Sequence, residues 1–179
     1  MDSNRLSKNL EEALNVRLTN EAHTSQIYLS YAAGANIQGF NGIANFLLRF
    51  AQEEENHMSM ILDYISKRGA EVPETSIPVQ PENPVSISYC FEKVFEHEVE
   101  KTKDVFKLLK MSFVEEDWAT WKFMQCFLKE QIEEETLAKK LLDKLKMAGG
   151  EMASNYALYS LDKVLGTTPE ILLKQTVVE

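Results

Sequence analysis

The sequence predicts an all-α protein: a four-helix bundle with one long crossover between its second and third helices and a short fifth helix near the C-terminus. Three observations carry this. Only seven residues are glycine and five proline, and four of the prolines fall between Pro73 and Pro84, so the rest of the chain is nearly free of helix breakers. Apolar residues recur at helical spacing through four segments of about 25 to 32 residues each. The proline-bearing stretch is too long for an ordinary loop in a compact domain and needs a structural reason.

The first helix is expected over residues 6–37, stopping at Gly39-Phe40-Asn41-Gly42, and the second over 43–67, stopping at Gly69. From residue 70 to 86 the chain carries Pro73, Pro78, Pro81 and Pro84 and is read as extended. A helix of about 25 residues is roughly 37 Å long. About 17 extended residues can reach roughly 55 Å, enough to start the third helix at the end where the second one starts. The third helix is expected over 87–113 and the fourth over 117–147, ending at Gly149-Gly150. A short fifth helix covers 154–165, before Gly166 and Pro169. Short connections make each flanking pair antiparallel. The alternative, two independent hairpins on a tether, would leave each with little core to bury. Residues 1–166 are therefore read as one domain and 167–179 as a tail.

Formal charge is −9, from 28 acidic and 19 basic residues, which argues against a protein that grips nucleic-acid phosphate through clustered Lys and Arg. Cys90 and Cys126 are the two cysteines and have no metal-ligand spacing. Neither an apolar signal core nor an apolar run of about 18 residues occurs, so no membrane partner and a reducing, cytoplasmic location are expected.

The chemistry lies in the inward stripes. Residues seven apart share a helix face, so a heptad facing the core should be apolar throughout. Three helices break that rule alike, reading Leu14-Glu21-Tyr28, Phe91-Glu98-Val105 and Phe127-Glu134-Leu141. The second helix offers Phe50, Glu54, His57 and Ile61, again on one face. Four glutamates and a histidine at one level of a core would repel one another without a compensating cation. Two divalent irons supply four positive charges, and hard carboxylate oxygens with one imidazole suit iron. A two-iron site is expected, with Glu54 placed to bridge. Tyr28, one face along from Glu21, is spaced to donate an electron or a hydrogen bond. The alternative, glutamates turned to water, needs the same coincidence in four helices.

Asn20-Glu21 through Tyr28, Ala51-Gln52-Glu53-Glu54-Glu55-Asn56-His57-Met58, His97-Glu98 and Glu130-Gln131-Ile132-Glu133-Glu134-Glu135 resemble the motifs of bacterial and archaeal-type non-haem ferritins, over about residues 6–166. The resemblance implies a ferritin-like bundle in which Glu21, Glu54 and His57 bind a first iron and Glu54, Glu98 and Glu134 a second. Gln131 and Tyr28 stand just outside and join the catalytic set, Gln131 also as a candidate ligand. It further implies a third iron position at Glu53, Glu130 and Glu133, and a shell of 24 subunits with the fifth helix near the fourfold axes. That helix presents Tyr156, Leu158, Tyr159, Leu161 and Leu165 as an apolar stripe.

Departures narrow the resemblance. Bacterioferritins and rubrerythrins carry a second Glu-x-x-His on the last core helix, where this chain has Gln131-x-x-Glu134. Glu55 stands where haem-binding bacterioferritins present methionine, so no haem is expected. Cys126 replaces a tryptophan found in many prokaryotic ferritins. Trp121 and Met124 occupy the positions of acidic pore residues in animal ferritins. Trp118 and Trp121 are read as packing anchors, and His23 and His97 as non-ligands.

The expected function is an iron-storage subunit that oxidises Fe(II) to Fe(III) with dioxygen or hydrogen peroxide and holds ferric oxyhydroxide in an oligomeric shell. Two other readings stay open: a di-iron oxidase or peroxidase without storage, and a metal-free helical interaction protein.

Overall fold

The computed structural model describes residues 4–72 and 86–167. Four long helices, α1 (Lys8–Ile37), α2 (Asn41–Lys67), α3 (Ile87–Val114) and α4 (Trp118–Met147), are followed by a single 3-10 turn (Gly150–Met152) and a short helix, α5 (Asn155–Thr167). Each expected helix is present, with ends displaced by one or two residues. The displacements have capping causes. Ser7, Ser86 and Asp117 stand just outside α1, α3 and α4 and accept from the backbone N–H groups of Leu10, Tyr89 and Thr120, satisfying donors with no partner inside the helix.

At one end of the bundle the Arg5 N–H donates to the Arg68 carbonyl at 2.9 Å. Arg68 also pairs with Asp117 at 2.9 Å, and Ser7 donates to Glu115. The start of α1, the ends of α2 and α3 and the start of α4 thus meet there. At the other end Ser86 donates to Glu151 at 2.8 Å. So α2 ends and α3 begins at opposite ends of the bundle, and the two run in the same direction. The expected crossover at 73–85 and the tail from 168 lie outside the described residues.

The core is divided. One apolar cluster, including Tyr28, Phe46, Phe50, Phe91 and Leu141, fills the half nearest α5. A second, including Leu10, Leu14, Ile61, Val105 and Phe127, fills the other half. Between them lies a belt of buried polar groups: Arg17, Glu21, Glu54, His57, Glu98, Lys101, Gln131 and Glu134. A level of charge between two apolar clusters is largely withdrawn from bulk water, and there every electrostatic term gains weight.

Helix α5 lies against α2 by direct backbone approach. A Cβ added to Gly42 would sit 1.9 Å from the Asp162 carbonyl oxygen, and one added to Gly166 would sit 3.1 Å from the Gly42 Cα. Leu165 is fully buried, and Leu158 and Leu161 are partly buried against the same cluster. The stripe read from the sequence is therefore split: the subunit covers the leucines itself, while Tyr156 and Tyr159 stay 79% and 53% exposed. Trp118 is 54% exposed and packs edge-on against Phe113 and Trp121. It sits on the first turn of α4, beyond the end of the apolar plug. No helix among the described residues is long and apolar enough to cross a membrane.

Candidate metal centre

Each belt carboxylate takes its position from the apolar residues that flank it on its own helix. Leu14 and Tyr28 flank Glu21 on α1, and Phe50 and Ile61 flank Glu54 and His57 on α2, all of them buried. Phe91 and Val105 do the same for Glu98 on α3, as do Phe127 and Leu141 for Gln131 and Glu134 on α4. The result is two groups, Glu21–Glu54–His57 and Glu54–Glu98–Glu134, each offering donor atoms that lie within 4.8 Å of one another. Glu54 belongs to both. The Tyr28 hydroxyl donates to Glu98 Oε1 at 2.6 Å, and Gln131 Nε2 donates to Glu98 Oε2 at 2.7 Å. Tyr28 and Gln131 therefore orient a carboxylate, as outer partners of metal ligands do.

Two cations that the sequence reading overlooked sit in the same belt. The Lys101 Nζ pairs with Glu54 Oε1, with Glu98 Oε2 at 3.0 Å and with Glu134 Oε2 at 3.6 Å. The Arg17 Nε lies 2.5 Å from Glu21 Oε1, while its terminal nitrogens donate to the Lys101 carbonyl at 3.0 Å and to Gln131 Oε1 at 3.4 Å. The expectation that four carboxylates lack any compensating charge but metal is corrected: Arg17 and Lys101 supply two positive charges, and the imidazole of His57 stands beside them. The signal was present in the sequence. Val94-Lys101-Leu108 breaks an inward apolar heptad as the glutamates do, while Leu10-Arg17-Thr24 has an apolar neighbour on one side only.

These neighbours set the protonation of the belt. Burial opposes the charge on Glu21, but Arg17, with help from Glu54, Lys101 and His57, outweighs it and holds the carboxyl down at about 2. Burial pushes Glu54 well above the usual carboxylate range despite the pull of Lys101, and the nearby Glu21 adds to the rise. Burial disfavours the imidazolium of His57, yet the hydrogen bond to Glu130 and the neighbouring carboxylates of Glu54, Glu134 and Glu21 raise it to about 10. Tyr28 is held as a neutral phenol by burial and by the charge of Glu98.

The remaining candidates lie to one side. Glu53 and Glu133 are partly buried and Glu130 is exposed. With Asn56, His57, Met60 and Glu134 they line an open cleft of about 390 Å³. His57 Nε2 lies 3.1 Å from Glu130 Oε2, so the imidazole joins the cleft to the belt. Among the described residues, Glu53, Glu130 and Glu133 form no close donor group like the two triads. His23 and His97 belong to neither triad. Cys126 is exposed and Cys90 buried. Met124, at an acidic pore position of animal ferritins, is fully buried in the second apolar cluster.

The donor set fits a pair of hard divalent cations. Three buried atoms of the first triad, Glu21 Oε2, Glu54 Oε2 and His57 Nδ1, meet no hydrogen-bond partner among the described residues, an arrangement that costs stability unless a cation takes them up. A bundle with one Glu-x-x-His and three further glutamates converging on its core is a di-iron carboxylate protein. The family model of the ferritin-like domain matches residues 11–148. The chain is 35% identical over 161 residues to the bacterial non-haem ferritin of Bacteroides fragilis, spanning 90% of this chain and 98% of that one. It is 35% identical over 162 residues to that of Staphylococcus aureus, spanning 90% and 96%. Its fold superposes with a TM-score of 0.86 on an open pore ferritin from the hyperthermophilic archaeon Archaeoglobus fulgidus, 34% identical and covering 94% of this chain and all of that one. The chain belongs to the non-haem ferritins of the bacterial and archaeal type.

Proposed function

We propose that this subunit collects ferrous iron at the buried belt, oxidises it there and passes the ferric product to a mineral stored inside a closed shell. The observation that carries the reading is the sharing of Glu54 between two buried triads, which places two cations side by side with one bridging carboxylate. Iron is the substrate. Two Fe(II) ions give one electron each to dioxygen, which takes two protons and leaves as hydrogen peroxide. With hydrogen peroxide as acceptor, the same two electrons and two protons yield two waters. Glu21, Glu54, His57, Glu98 and Glu134 hold the ions; Gln131 and Tyr28 keep Glu98 in place.

The cleft lined by Glu53, Glu130 and Glu133 is the proposed third iron position and the path by which iron enters and leaves the belt. Its partial exposure suits a transit position better than a storage one. A shell of 24 subunits in the cytoplasm follows from kinship with the ferritins, and the exposed Tyr156 and Tyr159 of α5 offer it a contact. Residues 1–166 would form the ferritin-like unit and 167–179 a tail.

The test is aerobic oxidation at two ferrous ions per subunit, followed by iron content and light scattering after heavier loading. Glu54→Ala is expected to remove fast oxidation at low loading, while the wild type retains far more iron than its ligands alone can hold. An unchanged initial rate in the variant would overturn the site. Precipitated iron with only two or three ions retained would point to a non-storage oxidase.

A further inference from the structure

The two triads share a bridging carboxylate, yet their own cations reach them from different sides. Arg17 approaches Glu21 from outside the first triad. It takes Oε1 and spends its other nitrogens on the Lys101 carbonyl and Gln131. Glu21 Oε2, Glu54 Oε2 and His57 Nδ1 are left with no hydrogen-bond partner among the described residues. The first triad is compensated but open.

The second triad is compensated from within. Lys101 is 5% exposed and comes from the same face of α3 as Glu98, one turn on. Its Nζ reaches an oxygen from each of the three carboxylates, Glu54, Glu98 and Glu134. Those three oxygen-bearing groups are the ones whose donor atoms converge. An ammonium that contacts all three occupies the space that a cation bound by all three would need. The two cannot coexist at that separation in a water-poor core, because both are positive and both draw on the same oxygens.

We infer that Lys101 is the resident occupant of the second iron position, a side-chain cation that holds Glu54, Glu98 and Glu134 together and must be displaced before an ion can bind there. This rests on the di-iron reading above and adds an order to it. The Glu21–Glu54–His57 position, into which no lysine reaches, fills first. The Glu54–Glu98–Glu134 position fills second and more weakly, because only subunits with Lys101 withdrawn are competent. If about one subunit in ten or fewer has the side chain withdrawn, the apparent affinity of the second position falls about tenfold or more. Lysine suits this use: it is a compact charge on a flexible four-carbon stem, able to leave the cage without moving the helix.

The experiment is a titration of the assembled, full-length protein with Fe(II) under argon at neutral pH, comparing wild type with Lys101→Met, Lys101→Gln and Lys103→Met. Lys103 is exposed and pairs with Glu100 at 2.6 Å, so its variant controls for charge on the same helix. The wild type is expected to bind in two steps, with the second about tenfold or more weaker. Both Lys101 variants should tighten the second step and leave the first unchanged; Lys103→Met should alter neither. The metal-free Lys101 variants should also melt below the wild type and regain more thermal stability on adding Fe(II). Two equal steps in the wild type, or a second step that neither Lys101 variant tightens, would overturn the inference while leaving the di-iron reading standing. Loss of the first step as well, in the wild type itself, would instead defeat the di-iron reading.

Discussion

The Asp162 carboxylate of α5 accepts a hydrogen bond from the Ile43 backbone N–H across 2.9 Å. Its neighbour Phe40 flanks the start of α2 but brings no side-chain acceptor. The fifth helix thus caps the second, in addition to covering its apolar end. Asp162→Ala is expected to cost about 1 kcal/mol, the ordinary loss for an N-cap acceptor. Thermal unfolding of the metal-free protein measures it. Truncation at Gly150 should cost more, since it also uncovers the surface that Leu165 seals, yet it should spare anaerobic metal binding. A truncated protein as stable as the full chain would contradict the capping role.

Glu98 is expected to be stabilising in the metal-free protein. It accepts from Tyr28, Gln131 and Lys101, so a glutamine there would turn an amide donor towards one of three other donors. Glu98→Gln should lower the melting temperature of the metal-free protein, at a cost of about 1–3 kcal/mol. Pairing it with Lys101→Met should cost less than the sum of the two single changes, because both remove the same Glu98–Lys101 contact. Calorimetry on the two single variants and the double variant tests this directly.

The acid side of the stability profile should carry the signature of Glu21. Its folded value of about 2 lies below the ordinary 4.5. The stabilisation is therefore fully present above pH 4.5 and is lost as pH falls towards 2. Between those limits the metal-free wild type should lose stability more steeply than Glu21→Gln. Parallel profiles would show that Arg17 does not hold the carboxylate ionised.

His57 points the other way. Its folded value of about 10 stands above the ordinary 6.5, so the metal-free imidazole is protonated at neutral pH, and its contribution to stability is complete below 6.5 and gone above 10. A metal ion needs the neutral ring. Binding at the first position should release about one proton from His57 at pH 7. Calorimetric titration in two buffers of unlike ionisation enthalpy measures the release, and His57→Gln should abolish that share of it.

The helices, their order and the carboxylate level were legible because each rests on a local rule. Apolar residues at helical spacing mark the elements, and Glu21, Glu98 and Glu134 each interrupt an otherwise apolar heptad. Lys101 interrupts its heptad in the same manner, and Arg17 does so with an apolar neighbour on one side only. Long cationic side chains usually run out to solvent, so a core position for them is read only when the opposing charges are placed in three dimensions. The split of the α5 face was not legible at all. Which leucines the subunit covers depends on the close backbone approach at Gly42 and Gly166, a long-range contact with no trace in the periodicity of either segment.

The belt between the two apolar plugs also sets terms for anyone wishing to build a redox-silent cage from this subunit. Deleting only the acids would leave Arg17 and Lys101 stranded in a dry interior, a worse outcome than the intact cluster. Deleting only the cations would leave the acids to repel. The group has to be exchanged as a unit, Glu21 with Arg17, and Glu54, Glu98 and Glu134 with Lys101 and His57, for apolar side chains that fill the same volume. A container made that way would gain rigidity at mid-height and lose its chemistry in one step, so inertness and stability could be engineered together rather than traded.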